Sequence, residues 1–194
     1  CSDKTGTLTQ NRMSLTKVWV EGQSQLEGVS SENSPAARKL LQYGTLCCDG
    51  SVTFGADGSE QHIGDPTETA ILVAAHKNGM EQDALGKEYP RLAELPFDSD
   101  RKLMTTVNRI DGELIAIVKG AFDMMATRCV QGDLEAAREK NDEMSRQALR
   151  VLAVGYRKLD QLPQELTSEE LENGLTLLGL VGMIDPPRPE AKEA

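Results

Sequence analysis

Two strand-forming runs, Leu103 to Ile110 and Glu113 to Lys119, are separated only by Asp111-Gly112. An Asp-Gly pair between β-branched runs is the strongest short-range sign of a tight hairpin, because both turn positions need positive φ. It commits this part of the chain to antiparallel pairing. A third run, Leu92 to Pro96, precedes the hairpin, and Val151 to Tyr156 and Leu175 to Ile184 follow it as further strands. The last is interrupted by Gly179 and Gly182 and stopped by Pro186-Pro187. Near the start, Met13 to Val20 alternates and is β-branched, so it also reads as a strand.

Helical patterns lie between these strands. Ser34-Pro35 is an N-cap followed by proline at the first helical position, and Ala36, Ala37, Leu40, Leu41 and Leu46 continue at helical spacing toward Gly50. Asp65 to Asn78 repeats the design: Asp65 caps, Pro66 starts, Glu68 completes a capping-box-like pattern and Gly79 ends it. Ala121 to Arg128 and Leu134 to Arg150 read as two more helices. The expected fold is therefore α+β, an antiparallel sheet flanked by helical hairpins.

The chain has 194 residues, with 21 Lys and Arg against 31 Asp and Glu, for a net charge of −10. That surface argues against nucleic-acid binding, which favours basic patches. Four cysteines do not make a disulfide scaffold, and the adjacent Cys47 and Cys48 suit helix packing in a reducing compartment. His62 and His76 share no metal-ligand spacing with them and read as ordinary surface or helix residues. The uncharged run Leu175 to Ile184 is half of the roughly 20 residues that a spanning helix needs. The chain begins without Met and closes on a charged string, as a piece of a longer protein would.

Chemistry concentrates in a few short strings. Asp3-Lys4-Thr5-Gly6-Thr7-Leu8-Thr9 sets a carboxylate before a glycine turn rich in hydroxyls. Such a carboxylate can attack phosphorus while backbone amides and threonines hold the phosphoryl oxygens and Mg²⁺ offsets the charge. A surface turn has a similar composition. No G-x-x-x-x-G-K-S/T loop is present, so ATP binding cannot rest on a P-loop. The chain has three Phe, three Tyr and one Trp, and Phe97 alone stands between a proline and a run of polar or charged residues. A flat ring beside Arg101 and Lys102 suits stacking on a purine, with the cations reaching phosphate oxygens. The other possibility is a ring folded back to plug the sheet.

Asp3 to Thr9 resembles the phosphorylation signature of P-type cation-transporting ATPases, and the longer string Cys1 to Met13 closely resembles the calcium-pump branch. The resemblance implies that Asp3 becomes an aspartyl phosphate, that Asp3, Lys4 and Thr5 form the catalytic group, and that Asp3 and Thr5 share in an incomplete Mg²⁺ site. Thr5 stands where related phosphatases of the haloacid-dehalogenase-like superfamily carry a second acid, which fits a long-lived phosphoenzyme. Gly64-Asp65-Pro66-Thr67-Glu68 resembles the family's G-E/D-x-T-E segment, and Pro96 to Met104 its P-F-x-S-x-R-K-x-M segment. Ser99 stands where animal calcium pumps carry arginine. Lys119-Gly120-Ala121 resembles the family's K-G-A segment, Arg150 its polyphosphate arginine, and Asp185-Pro186-Pro187-Arg188 its D-P-P-R hinge.

Together these imply an ATP-contacting set of Thr67, Glu68, Phe97, Lys102, Lys119, Gly120, Arg150 and Asp185. They also imply a nucleotide-binding domain over 12–184, inserted in a haloacid-dehalogenase-like phosphorylation domain whose edges are 1–11 and 185–194. ATP or ADP and the phosphorylation, actuator and transmembrane domains of the same pump are the expected partners, on the cytoplasmic side of a membrane. No nucleic acid or membrane contact is expected, and the chain should be monomeric. By itself it is expected to bind nucleotide, mainly through the adenosine half, without turning it over. Lys119 should sit near Phe97 and Glu68, lose its proton readily and react early with amine reagents. Met13 to Val20 and Leu175 to Ile184 should run side by side as a two-strand hinge. A pump for Mg²⁺, Mn²⁺ or Na⁺, a soluble phosphatase of the superfamily and a non-enzymatic interaction module are the alternatives.

Overall fold

The computed structural model describes residues 13–57, 59–165, 167 and 171–184. The expected hairpin is its middle: β6 (Leu103–Ile110) and β7 (Glu113–Gly120) pair from Leu103↔Gly120 to Ile110↔Glu113. Asp111 at φ 51 and Gly112 at φ 82 supply the two positive dihedrals that such a turn demands. β5 (Arg91–Asp98) adds to β6, and β9 (Arg150–Leu159) to the other side of β7. Beyond β9 come β10 (Leu175–Ile184), β1 (Ser14–Val20) and the short β2 (Glu27–Gly28), giving the order β2-β1-β10-β9-β7-β6-β5. β1 and β10 do run side by side, from Ser14↔Ile184 to Val20↔Gly179.

One strand departs from the expected antiparallel pattern. β8 (Cys129–Gln131) pairs parallel to the start of β10. A second, two-stranded sheet, β3 (Ser51–Phe54) with β4 (Glu60–Ile63), stands apart; its strands are short and half polar, and no sequence signal marked them.

Alternation along β7 sorts its residues onto two faces. Ile115 and Ile117 join Leu40, Leu41 and Ile71 in one core, beneath α1 (Pro35–Leu46) and α2 (Pro66–Lys77). Val118 joins Phe122, Met125 and Met144 in the other, beneath α4 (Phe122–Ala126) and α5 (Leu134–Arg146). α3 (Gln82–Glu88) packs against α1 and α2. With helices on both faces, β10 is buried along almost its whole length, which is why it reads as a continuous apolar run.

The caps of α1 and α2 form as expected. Ser34 Oγ accepts from the Ala37 amide and Asp65 Oδ1 from the Thr67 amide. α5, by contrast, stops at Arg146, not Arg150. Ala148 turns to φ 63, the Leu149 amide reaches back to the Met144 carbonyl, and Leu149 packs into the Met144 core. This is a helix stop built on a hydrophobic contact with alanine at the glycine position, so no glycine announced it.

Glu27 fastens the loop after β2 to α1. Its carboxylate accepts from Gln23, from the Asn33 amide group, and from both the backbone N–H and hydroxyl of Ser34. Burial pushes its pKa up, but these donors outweigh burial and bring it from 4.5 to about 2. A depressed carboxylate stabilises the fold above its unfolded pKa, and the contribution is lost as pH falls through the folded one. Glu27→Gln should therefore remove part of the stability loss between pH 4.5 and 2 in acid unfolding curves. An acid limb unchanged in the variant would contradict this assignment.

Candidate functional site

The sheet register gathers the expected residues at one end. Asp98 is opposite Leu103, Leu103 opposite Gly120, and Gly120 opposite Ala153. The last residues of β5 and β7 and the first of β6 and β9 therefore share an edge of the sheet. Phe97 sits in a register shift of β5 between Leu95 and Asp98. An extra residue in a strand re-aims its side chains, and here the ring is 61% exposed, not folded back into the sheet. Arg150 opens β9 at the same end, exposed and three residues from Ala153.

Glu68 comes down onto this end from the first turn of α2. Its Oε2 accepts from Lys119 Nζ at 2.8 Å, and its Oε1 from the amides of Asp49 at 3.1 Å and Gly50 at 2.9 Å. The capping-box reading is thereby corrected: Glu68 bonds the loop after α1 and the end of β7, leaving the N-cap to Asp65. Both partners are buried, Glu68 9% and Lys119 5% exposed. Burial works against the Lys119 ammonium, yet the sulfurs of Cys48 and Cys47 and the Glu68 carboxylate outweigh it and hold the pKa above the ordinary lysine value. Burial also pushes up the thiols, Cys48 to about 12, so at neutral pH the carboxylate is the charge that keeps Lys119 protonated. The expectation of an easily deprotonated, early-reacting Lys119 is overturned. A buried, paired ammonium should be among the slowest lysines to modify.

Cys48 Sγ lies 3.8 Å from Lys119 Nζ, so the cysteine pair packs the helix, as expected, and also walls this ion pair. The Thr67 hydroxyl donates to Asp65 Oδ1 and so serves the cap. Lys102 is exposed at φ 58, and its carbonyl accepts from the Ala121 amide. Gly120 fits against that turn: a Cβ there would lie 2.2 Å from the Lys102 carbonyl oxygen.

Arg101 does not face outward beside Phe97 as a phosphate-reaching cation. Its guanidinium is held by Glu172, a fully buried carboxylate, at 2.8 Å and 3.1 Å. Sequence reasoning missed Glu172, since 71 residues separate the two and no local pattern links them.

Asp3, Lys4, Thr5 and Asp185 lie outside the described residues, and with them the expected Mg²⁺ ligands. Among the described residues no three His, Cys, Asp or Glu side chains converge as a metal would require. Nor is any helix among them long and apolar enough to cross a membrane. A cleft of about 430 Å³, between the β3–β4 hairpin and α2–α3, is lined by Phe54, His76 and Met80, and contains neither Phe97 nor Lys119. The Phe97 end is an open surface with one exposed ring and two exposed cations, and the buried Glu68–Lys119 pair lies at the same end of the sheet.

The chain is 41% identical over its whole length to calcium-transporting ATPase 1 of Bacillus cereus. It is 40% identical over 97% of its length to calcium-transporting ATPase 1 of Lactococcus lactis, and 35% identical over 98% to a cation-transporting ATPase of Synechocystis. It spans 22% of the first two and 24% of the third. Residues 36–190 match the family described as P-type ATPase, cytoplasmic domain N, and the chain belongs to that family.

Proposed function

We propose that this chain is the ATP-binding domain of an ATP-driven cation pump of the calcium-transporting kind, which forms an aspartyl phosphate at Asp3. The observation that carries the nucleotide site is Phe97. A large ring left 61% exposed at a strand end, with Lys102 and Arg150 at the same end, is costly to leave in water and well placed to stack on a purine. Glu68 and Lys119 neutralise one another at the same end of the sheet. Stacking then contributes most of the affinity, and the two exposed cations meet the phosphates.

The names of the Bacillus cereus and Lactococcus lactis relatives support calcium as the transported ion. The Synechocystis relative, named only as cation-transporting, keeps Mg²⁺, Mn²⁺ or Na⁺ as the second reading. In this proposal 12–184 form the nucleotide-binding domain, flanked by phosphorylation-domain edges at 1–11 and 185–194. β1 and β10 are its two connections, and their pairing supports a hinge that swings without twisting freely. Mg²⁺, the pump's other domains and a cytoplasmic placement belong to the same proposal.

Phe97→Ala should weaken ATP and AMP equally, by about 1–3 kcal/mol, because stacking reads the base and not the phosphates. NMR titration of the parent and variant chains with ATP, ADP and AMP tests this. Unchanged affinity in the variant would remove Phe97 as the platform.

A further inference from the structure

The Arg101–Glu172 pair lies beside the nucleotide end, and Arg101 Nη1 also pairs with Asp98 at 3.7 Å. Arg101 Nε and Nη2 donate to the two oxygens of Glu172 at 2.8 Å and 3.1 Å. Nη2 also donates to the carbonyls of Leu103 at 2.9 Å and Pro96 at 3.2 Å. Those carbonyls bracket residues 97–102, so one guanidinium closes the mouth of the turn that carries Phe97 and Lys102. Glu172 is fully buried, and the Thr105 hydroxyl donates to its Oε2. It stands three residues ahead of β10, the strand paired with β1.

A buried carboxylate adds little net stability, and an apolar replacement of the whole pair often serves the fold as well. What an apolar pair cannot supply is a planar fork holding two carbonyls and two carboxylate oxygens at once. We infer that Glu172 is a positioning residue for nucleotide binding: through Arg101 it sets the turn that presents Phe97 and Lys102. The inference rests on the nucleotide reading of Phe97. It also ties the segment entering β10 to the stacking platform, so a movement of that segment reaches the ring directly.

The test separates stability from affinity in the 194-residue chain. Its three phenylalanines are labelled with 4-fluorophenylalanine. Phe54, stacked on His76 at 3.7 Å, and buried Phe122 serve as internal controls. The double variant Arg101→Met/Glu172→Gln removes both charges and leaves an acceptor for Thr105. It should remain folded, shift only the Phe97 fluorine resonance, and raise the Kd for AMP on the order of tenfold, as loss of preset geometry does. A folded double variant with an unmoved Phe97 resonance and a Kd within about twofold of the parent would overturn the inference.

Arg101→Lys keeps the charge opposite Glu172 but cannot hold both carbonyls, and it should give the same two changes. If neither variant folds, the pair is a folding requirement and the positioning role is lost. Phe97→Ala runs alongside: if it leaves AMP binding unchanged, the nucleotide reading fails, while the Phe97 resonance in Arg101→Met/Glu172→Gln still reports whether the clamp sets the turn.

Discussion

Glu68→Ala should destabilise the domain by about 3–5 kcal/mol, the range for stripping one partner from a buried ion pair. The loss has two parts. Lys119, 5% exposed, keeps an ammonium with no carboxylate against it, and the Asp49 and Gly50 amides lose their acceptor. Glu68→Gln keeps an acceptor for the amides and should cost less. It isolates the charge effect, because burial then acts on Lys119 with little to oppose it and its pKa falls.

The linked readout is chemical. In the parent, Lys119 should be among the slowest lysines to react with an amine reagent at neutral pH, and in Glu68→Gln its rate should rise as the neutral amine becomes populated. The sign with pH follows from the raised pKa: the stability linked to the Lys119 proton is full below 10.5 and falls away as pH climbs through the higher folded value. Denaturant unfolding and peptide mapping test both halves. A cost below about 1 kcal/mol with an unchanged Lys119 rate would mean that the pair is solvated and the burial assignment is wrong.

What the sequence made legible was what is written locally. Asp111-Gly112 specifies its own turn, and Ser34-Pro35 and Asp65-Pro66 specify their own helix starts, so these features appear where the residues place them. Glu68 shows the limit of such reading. An acid three residues after a cap has the same signature whether it reaches back to the cap or outward to another strand, and only the packing of α2 on β7 decides. The end of α5 was misplaced because Leu149, not a glycine, stops it. Arg101 and Glu172 meet across 71 residues of chain, and Asn33 and Asn78 exchange hydrogen bonds across two segments that share no pattern. Of the candidate site, Glu68, Phe97, Lys102, Lys119, Gly120 and Arg150 come to one end of the domain. Thr67 serves the cap of α2, and Asp3, Lys4, Thr5 and Asp185 lie outside the described residues.

Gly120→Ala should be strongly disruptive, and its effect should reach the nucleotide. A Cβ at Gly120 would sit 2.2 Å from the Lys102 carbonyl oxygen, 2.7 Å from Leu103 Cδ2 and 3.0 Å from Leu103 Cα. Two of those atoms are backbone, and the Lys102 carbonyl is held by the Ala121 amide, so no flexible side chain can simply move aside. Overpacking of this kind costs about 1–3 kcal/mol where neighbours yield and more where they do not. Here the backbone must yield, and the segment that moves is the turn presenting Phe97 and Lys102. Affinity for AMP should therefore fall by at least as much as in Phe97→Ala, about 1–3 kcal/mol, although Gly120 has no side chain with which to touch a ligand. Gly86→Ala is the matched control: nothing lies within 4 Å of its added methyl, it sits in α3, and it should be neutral or stabilising by about 0.5–1 kcal/mol. Thermal melts and AMP titrations of the two variants decide the matter. If Gly120→Ala melts and binds like Gly86→Ala, then β7 does not support the turn, and the glycine after Lys119 must act on the nucleotide in another way.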